Sequence, residues 1–356
     1  MKKVYFFIGT KAQAIKCVPL INELLKNQKY KVLVIDSGQH VELVDSILFD
    51  IGNPVTRVRL YKHSQNISTL LQSVVWIFQF LKNYIFSNKN KLKADSGICI
   101  VHGDTLSTLL GLFWSKKNKI KVLHLESGLT SQKFFRPFPE ELVRRIVSQF
   151  SDILICFDDD SFNNLNSKYK NSKKLIKKIS ENTIFDTISN EIVKKDNKLI
   201  TVTLHRTETI ISKARMKEFL NFLTLLSDDF KINWYLHEPT KNYLKKHNLK
   251  VSEKVNLLNL LDHNSFLHEI KKSAFVITDG GSIQEECYLL GKSTIIWRKT
   301  TERKYALNKN MFVSDFSSKK SYDFLINNLE TKIKIKDKII EPSKEIVEYL
   351  KEAKIF

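Results

Sequence analysis

The sequence predicts an α/β protein that contains two open parallel β-sheets. Short apolar runs alternate with amphipathic helical segments along nearly the whole chain. Strands without a polar face are typical of parallel sheets that helices cover on both sides. At 356 residues the chain is also longer than one hydrophobic core usually supports, so two domains are expected.

The first half of the chain alternates strands and helices in a regular order. A strand is predicted in KVYFFI, a helix in QAIKCVPLINELLKN and a second strand in KVLVID. A long helix over residues 70–86 precedes strand GICIVHGD, helix TLSTLLGLFWSKKN and strand KVLHLESG. Helix EELVRRIVSQFS and strand DILICF complete this half.

The helix over residues 70–86 is the longest apolar stretch of the chain. Gln72, Gln79 and Lys82 interrupt it, and it is shorter than the ~20 apolar residues that a membrane span needs. A buried or partner-facing helix is therefore expected, and no integral membrane segment.

The pattern restarts after the polar segment NNLNSKYKNSKKLIKKISEN. Strand KLITVTLH and helix KARMKEFLNFLTLLSDD are followed by strands KINWYLHE, KVNLLNLL and AFVITDGG, each with a helical segment after it. The final stretch PSKEIVEYLKEAKIF predicts one more helix. We expect a first domain over residues 1–170, joined by the C-terminal helix 342–356, and a second domain over residues 171–341.

The chain is strongly basic. Its formal charge of +20 comes from 58 Lys and Arg against 38 Asp and Glu. The cations are mostly lysines scattered among Asn and Ile, without an arginine-rich stripe or interleaved aromatic residues, which is typical of solvated surface. We therefore expect no nucleic-acid partner.

Cysteine usage indicates a reducing, cytoplasmic location. Cys17, Cys99, Cys156 and Cys287 lie far apart and form no C-x-x-C pair, and two of them fall inside apolar strands. The N-terminus MKKVYFFIGT has too short an apolar run for a signal peptide and is expected to be the first strand.

The chemistry is expected where strands give way to loops. Open parallel sheets bind ligands beyond the carboxyl ends of their strands. The segments there are IGTK, HGDT and LESG in the first half and TLHR and TDGGS in the second. We expect these five loops to face a central cleft.

The segment TDGGS resembles a phosphate-binding turn. Gly280 and Gly281 permit close approach of a ligand to the backbone, and the helix that follows offers unpaired N–H groups. An ordinary tight turn is the alternative, since the G-x-x-x-x-G-K-[ST] motif is missing. Glu285 and Glu286 either stabilise the helix dipole from the first turn or accept hydrogen bonds from ribose hydroxyls.

His205 and Arg206 end the first strand of the second half. From that position both can contact a pyrophosphate, although a lone histidine is often an incidental loop residue.

The first half contributes carboxylates instead. Asp104 and Glu126 each follow a strand, and Glu140 and Glu141 follow a proline, which is also a common way to start a helix. Neighbouring carboxylates can divide the roles of acid and base, so this set predicts proton transfer on a sugar. The run FDDDS is expected to cap a helix rather than to bind a cation.

Nine motifs in order resemble one family. They are GTKAQAIKCVPL, SGQH, VHGDT, HLESGL, PFPEELVRR, NTIFD, TLHRTE, TDGGSIQEECYLLGK and RKTTER. Together they resemble the non-hydrolysing UDP-N-acetylglucosamine 2-epimerases over nearly the whole chain. The resemblance implies the glycosyltransferase-B arrangement, in which two Rossmann-like domains face a central cleft.

The resemblance also implies an activity and a set of site residues. UDP is eliminated to give a 2-acetamidoglucal and is added back after reprotonation on the other face, without a metal or nicotinamide cofactor. The implied acid–base carboxylates are Asp104, Glu126 and Glu140, and His205 is the implied phosphate contact. The implied UDP-binding residues are Lys11, Lys16, Gly281, Ser282, Glu286 and Arg303, supported by Arg144. A regulatory sugar-nucleotide site is implied at Gln39, His40, Arg206 and His237, and a homodimer is also implied.

The chain departs from the family pattern at several contacts. GTRPE is GTKAQ here, DSGG is DGGS, GNT is ENT, HRREN is HRTET and TERPE is TERKY. The acidic set survives while nucleotide and sugar contacts change, which indicates an altered UDP-hexosamine in a glycan or polysaccharide pathway. A hydrolysing 2-epimerase, a glycosyltransferase and a non-catalytic sugar-nucleotide-binding protein are the alternatives.

Overall fold

The fold divides into two compact units. The computed structural model describes residues 1–39, 55–60, 67, 70–86, 94, 96–131, 139–188, 193–304, 307, 310–329, 340–353 and 355. One unit consists of Met1–Thr187 together with Ile339–Phe356, and the other of Ile188–Lys338. The first unit thus extends beyond residue 170, because a strand and a short 3-10 helix after that position pack onto it.

The first unit contains a parallel sheet. In its described part, seven strands take the order β3-β2-β1-β4-β5-β6-β7. They are β1 Lys2–Ile8, β2 Tyr30–Asp36, β3 Thr56–Arg59, β4 Ile98–His102, β5 Lys121–Leu125, β6 Ile153–Cys156 and β7 Leu175–Lys178. Strand β1 pairs with β2 on one side and with β4 on the other. The strand order reverses at this point, where open α/β sheets usually bind ligands.

Both faces of this sheet are covered by helices. They are α1 Lys11–Leu25, α2 Leu70–Phe80, α3 Leu106–Lys117, α4 Glu140–Phe150 and α5 Asp159–Tyr169. Val4, Phe6 and Ile8 point into one core, while Tyr5 and Phe7 point into another. The alternation of side chains along one strand therefore buries both faces, as the predicted parallel sheet requires.

The C-terminal helix Pro342–Glu352 belongs to the first unit. Ile346, Val347 and Leu350 lie in the same core as α1. The backbone N–H of Ser343 also donates to Asp186, at 3.0 Å, in the 3-10 helix Thr183–Thr187. The end of the chain is thereby fixed to the unit in which the chain begins.

Helix α2 is shorter than the helix expected from the sequence. It continues as a π-helix over Leu81–Phe86 instead of remaining α-helical to its end. Trp76 and Phe80 are buried, whereas Leu71 and Phe78 are exposed. No helix in the described ranges combines the length and the apolar composition that crossing a membrane requires.

The second unit repeats the same topology. Its described residues form six parallel strands in the order β10-β9-β8-β11-β12-β13. They are β8 Asp196–Thr203, β9 Lys231–Tyr235, β10 Val255–Leu258, β11 Ser273–Thr278, β12 Thr294–Ile296 and β13 Met311–Val313. The helices are α6 Thr207–Ile210, α7 Lys213–Leu226, α8 Glu238–Lys246, α9 His263–Lys272, α10 Gly281–Leu289 and α11 Ser318–Asn327. The predicted α/β class with two parallel sheets is confirmed, and the second order reverses between β8 and β11.

Candidate active site

The reversal point of the first unit lies between the loops that follow β1 and β4. Gln13, in the first turn of α1, connects them. Its Oε1 accepts from the N–H groups of Gly9 at 3.0 Å and Thr10 at 3.2 Å. Its Nε2 donates to the carbonyl of His102 at 2.8 Å and to Thr108 Oγ1 at 3.0 Å. One buried amide therefore fixes two loops that carry predicted site residues.

Glu126 follows β5 in an unusual backbone conformation. Its φ of 59° lies in the left-handed region, which non-glycine residues seldom adopt. Its Oε2 accepts from Lys16 Nζ at 2.8 Å and lies 3.4 Å from His102 Nε2. The Lys16 and Glu126 side chains are 3% and 7% exposed. Backbone strain and a buried ion pair at a strand end are typical of functional sites.

Asp104 is held by an arginine from α4. The Arg144 guanidinium donates to Asp104 Oδ2 through one nitrogen and to Glu141 Oε2, at 3.0 Å, through another. Arg144 is 4% exposed, whereas Asp104 is 27% exposed. The arginine is thus fixed inside the unit while the aspartate retains access to a ligand.

The two glutamates that open α4 have different surroundings. Glu141 accepts from Thr130 Oγ1 at 2.8 Å, Ser131 N–H at 3.1 Å and Arg145 Nε at 2.9 Å. Burial opposes ionisation of Glu141, but these donors and Arg144 outweigh it, so its pKa is lowered. Glu141 therefore anchors the helix start. Glu140 is the first residue of α4 and is only partly buried.

Three predicted carboxylates lie in neighbouring elements of this unit. Asp104 and Glu126 follow the paired strands β4 and β5. Arg144 connects α4, which begins with Glu140, to Asp104. The first unit therefore gathers acids at one edge of its sheet.

The reversal point of the second unit is organised by Asp279. This buried carboxylate accepts from the N–H groups of His205 at 3.0 Å and Arg206 at 2.9 Å. It joins the loop after β8 to the loop after β11. The sequence indicates Asp279 only as part of the DGGS turn, because the two N–H groups that it binds are distant in the chain.

The His205 imidazole lies next to a second histidine. Burial of the ring lowers its pKa, and Arg206 and Arg298 act in the same direction against Asp279. The His205 side chain nevertheless remains 38% exposed. The ring centroids of His205 and His237 are 4.5 Å apart, and His237 Nε2 lies 3.0 Å from Thr203 Oγ1.

Two glycines open the N-terminus of α10 to cationic side chains. The helix begins at Gly281, within the segment TDGGS that was expected to precede it, with Gly280 as its N-cap. A Cβ atom at Gly281 would lie 2.5 Å from Arg303 Nη1 and 3.5 Å from Arg206 Nη2. A Cβ atom at Gly280 would lie 3.1 Å from His205 Cε1. Guanidinium groups and helix N–H groups therefore converge on one place, which suits a phosphate.

The two glutamates of α10 lie in its second turn, so the first of the two alternatives, that they stabilise the dipole from the first turn, is wrong. Glu286 Oε1 is 3.0 Å from His263 Nε2, and both side chains are largely buried. Glu285 Oε2 is 3.8 Å from Arg303 Nε. Ser282, at the second position of α10, is partly exposed near the glycines.

Glu302 lies at the centre of a cluster of three arginines. Its Oε1 lies 2.9 Å from Arg303 Nη1 and 3.7 Å from Arg206 Nη2, and its Oε2 lies 3.2 Å from Arg298 Nη1. Burial opposes the charge on Glu302, but the three guanidinium groups prevail and strongly lower its pKa. Arg298 and Glu302 were missed as site residues, although both lie within the quoted motif RKTTER.

The remaining predicted residues occupy several positions. Lys11 begins α1. Gln39 Oε1 accepts from Ser107 Oγ at 2.6 Å in the first unit, whereas His237 belongs to the second. His40 lies outside the described residues. Asp158 accepts from the Ser161 N–H at 2.8 Å and caps α5, which confirms the helix-cap prediction for FDDDS.

Comparison with known proteins identifies the family. A family model described as UDP-N-acetylglucosamine 2-epimerase matches residues 22–351. A protein of that name from Campylobacter jejuni is 30% identical over 338 residues, which cover 86% of this chain and 84% of that protein. One from Methanocaldococcus jannaschii is 28% identical over 353 residues, covering 91% of this chain and 92% of that protein.

Solved structures share the fold along the full chain. The UDP-GlcNAc 2-epimerase from Neisseria meningitidis, solved bound to UDP-GlcNAc, matches with a TM-score of 0.78 and 26% identity over 99% of this chain and 100% of that one. The Methanocaldococcus jannaschii enzyme matches with a TM-score of 0.72 and 25% identity over 98% and 99% of the two chains. The resemblance drawn from the motifs is therefore confirmed, and this chain belongs to the UDP-N-acetylglucosamine 2-epimerase family of isomerases.

Proposed function

We propose that this protein inverts the carbon that bears the acetamido group of a UDP-N-acetylhexosamine, interconverting UDP-GlcNAc and UDP-ManNAc or a modified analogue. A base removes the proton from that carbon, and the bond between the anomeric carbon and UDP breaks to leave a 2-acetamidoglucal. UDP then adds back to the anomeric carbon while a proton returns from the opposite face. The observation that carries the proposal is that the first unit has carboxylates at the carboxyl ends of its strands, while the second unit has an anion-binding edge.

The second unit supplies what a departing UDP requires. Negative charge on the diphosphate grows as the bond to the sugar breaks, so preorganised donors stabilise this step. Arg206 and Arg303 lie close to Gly281, where the first N–H groups of α10 begin. The His205 imidazole adds a hydrogen-bonding group beside Gly280. We assign the UDP site to these residues and to Ser282 and Glu286, with Glu286 facing the ribose hydroxyls.

The first unit supplies the groups for proton transfer. Glu126 is our assignment for exchange at the acetamido carbon, since it combines strained backbone with the orienting partners Lys16 and His102. Asp104 and Glu140 complete the acid–base set, and Arg144 orients Asp104. Two or more carboxylates are needed because protonation and deprotonation occur on opposite faces of the sugar.

Solvent isotope exchange tests this function directly. The protein is incubated with UDP-GlcNAc in heavy water and the products are followed by NMR. Deuterium at the acetamido carbon of a retained UDP-sugar is the expected result. Free UDP with free N-acetylmannosamine would instead identify the hydrolysing reaction. If no UDP-hexosamine exchanges, the proposed function is refuted.

Regulation, assembly and location remain predictions. A second sugar-nucleotide site at Gln39, Arg206 and His237 predicts two bound molecules of UDP-GlcNAc per chain, and calorimetry measures this stoichiometry. Sedimentation equilibrium tests the predicted homodimer, and cell fractionation tests the predicted cytoplasmic location.

A further inference from the structure

We propose that Gln13 and His124 are positioning residues that fix the turn carrying Asp104, because they hold the consecutive carbonyl groups of His102 and Gly103. The inference rests on the proposed function, in which Asp104 belongs to the acid–base set. Neither residue is among the predicted site residues. Each joins the end of β4 to a different neighbouring element.

The contacts of Gln13 and His124 form a clamp on the turn that carries Asp104. Its first half is the side-chain amide of Gln13. Its Nε2 donates to the carbonyl of His102, which also accepts from Thr108 Oγ1 at 2.8 Å. Its Oε1 faces the N–H groups of Gly9 and Thr10. Donors on one side and a carbonyl on the other match the amide that this chain has in place of the glutamate of the pattern GTRPE, whereas an ionised carboxylate would place an oxygen against the His102 carbonyl.

The second half is the imidazole of His124. Its Nε2 lies 2.7 Å from the carbonyl of Gly103, and its Nδ1 lies 3.3 Å from Ser148 Oγ. A carbonyl only accepts, so Nε2 carries the proton and Nδ1 accepts from the serine hydroxyl. Burial lowers the pKa of His124 to about 4, so the ring is neutral near pH 7 and keeps this tautomer.

The peptide N–H between these two carbonyl groups is also bonded. Gly103 has a φ of 69° and its N–H donates to the Leu125 carbonyl at 2.9 Å. The next residue is Asp104, whose carboxylate is bound by Arg144. The direction in which Asp104 leaves the sheet is therefore set by the orientation of two peptide groups, and each is held by a buried side chain.

Gln13→Glu tests the clamp with almost no change in shape. Burial raises the pKa of the new carboxyl, and only its protonated form can donate to the His102 carbonyl. At pH 8.5 the variant should exchange deuterium roughly 10-fold or more slowly than the wild type, since a buried hydrogen bond is lost. The ratio of variant to wild-type rate should rise as the pH falls to 5.5. The KM for UDP-GlcNAc should be nearly unchanged, because the loss concerns proton transfer and not UDP binding.

Asn118→Asp is the matched control. Asn118 lies in the same unit at the end of α3, where it also connects an N–H group to a carbonyl. This substitution introduces the same charge into a similar bridge away from Asp104. Its rate relative to the wild type should not vary with pH. A flat ratio for Gln13→Glu, or an effect confined to KM, would overturn the proposal.

The role of His124 is tested by two variants, one without and one with a hydrogen-bond donor for the Gly103 carbonyl. His124→Leu removes the bond to Gly103 and should lower kcat roughly 10-fold. His124→Gln retains an Nε2 donor and should restore a large part of that loss. Equal rates for the two folded variants would contradict a positioning role for the imidazole.

Backbone amide exchange separates failure of the clamp from failure of the proposed function. The peptide that spans residues 103–105 should exchange faster in Gln13→Glu at pH 8.5 than in the wild type or in Asn118→Asp. If the wild type shows no turnover, the proposed function fails and this measurement still decides the clamp. Unchanged amide exchange in that peptide would refute the clamp whatever the activity.

Discussion

Replacing Glu302 by Gln should strongly destabilise the second unit. Glu302 is 6% exposed and is the carboxylate shared by Arg206, Arg298 and Arg303. The amide retains the shape of the side chain but loses its charge. Three guanidinium groups would then be close together without the anion that balances them.

The size of the effect follows from the distances. The carboxylate oxygens lie 2.9, 3.2 and 3.7 Å from the three guanidinium groups. A pair of charges at such a separation interacts by about 4 kcal/mol at an effective dielectric constant near 20. The recovered hydration cost of the buried carboxylate offsets much of this sum, so we expect a net loss of about 3–5 kcal/mol, as for other broken buried ion pairs.

Urea unfolding at pH 7, followed by the fluorescence of the buried Trp234 and Trp297, measures this loss. Glu208→Gln is the control, because Glu208 also contacts Arg298, at 2.6 Å, but its side chain is 48% exposed. Its removal should cost less than about 1 kcal/mol. The lowered pKa of Glu302 adds a pH dependence, since its stabilisation is present above the ordinary value of 4.5 and is lost as the pH falls below it. Equal losses for the two variants would refute the central role of Glu302.

Three further predictions follow from individual contacts. Glu126→Gln should abolish deuterium exchange while leaving the Kd for UDP nearly unchanged, and turnover at the wild-type rate would contradict its assignment. Gly281→Ala should raise the Kd for UDP about 10-fold or more by displacing Arg303, and it should also lower the melting temperature, because the same nitrogen of Arg303 is paired with Glu302. An unchanged Kd would refute the role of Gly281 and Arg303 in binding UDP. The wild type should lose up to about 3 kcal/mol of unfolding free energy between pH 6.5 and pH 4, because burial lowers the pKa of His124 from 6.5 to about 4 and the unfolded chain takes up the proton first. Urea unfolding at several pH values should show that His124→Gln lacks this loss. If the unfolding free energies of the two proteins fall in parallel with pH, the prediction is contradicted.

The strands that sequence reasoning missed lie at or near the edges of the two sheets. Strands β3 and β7 have four residues each, of which two are charged, and β12 and β13 have three residues each. Arg57 and Arg59 of β3 bind Asp36 at the end of β2, so their charges are satisfied by a neighbouring strand. Hydrophobic periodicity does not reveal such a strand, because its stability comes from a partner elsewhere in the chain.

The carboxylates and the glycine turn could be predicted from the sequence because the pattern that reveals them is local. A polar residue directly after an apolar run lies at the end of a strand, and in a parallel sheet these ends share one edge. Gln13 and His124 gave no such signal, and Asp279, which directly follows β11, was predicted only as part of the glycine turn. Each acts through hydrogen bonds to backbone groups that are far away in sequence.

The sequence by itself determined the α/β class, the repetition of one topology in two units and the family, because alternating burial and ordered motifs are written along the chain. Only the tertiary structure decided which charges are partners. Lys16 is 110 residues from Glu126, and Arg144 is 40 residues from Asp104, yet each pair is in direct contact. An ion pair forms when the fold brings two side chains within a few ångströms, and this separation depends on strand order and helix packing, which no local pattern encodes.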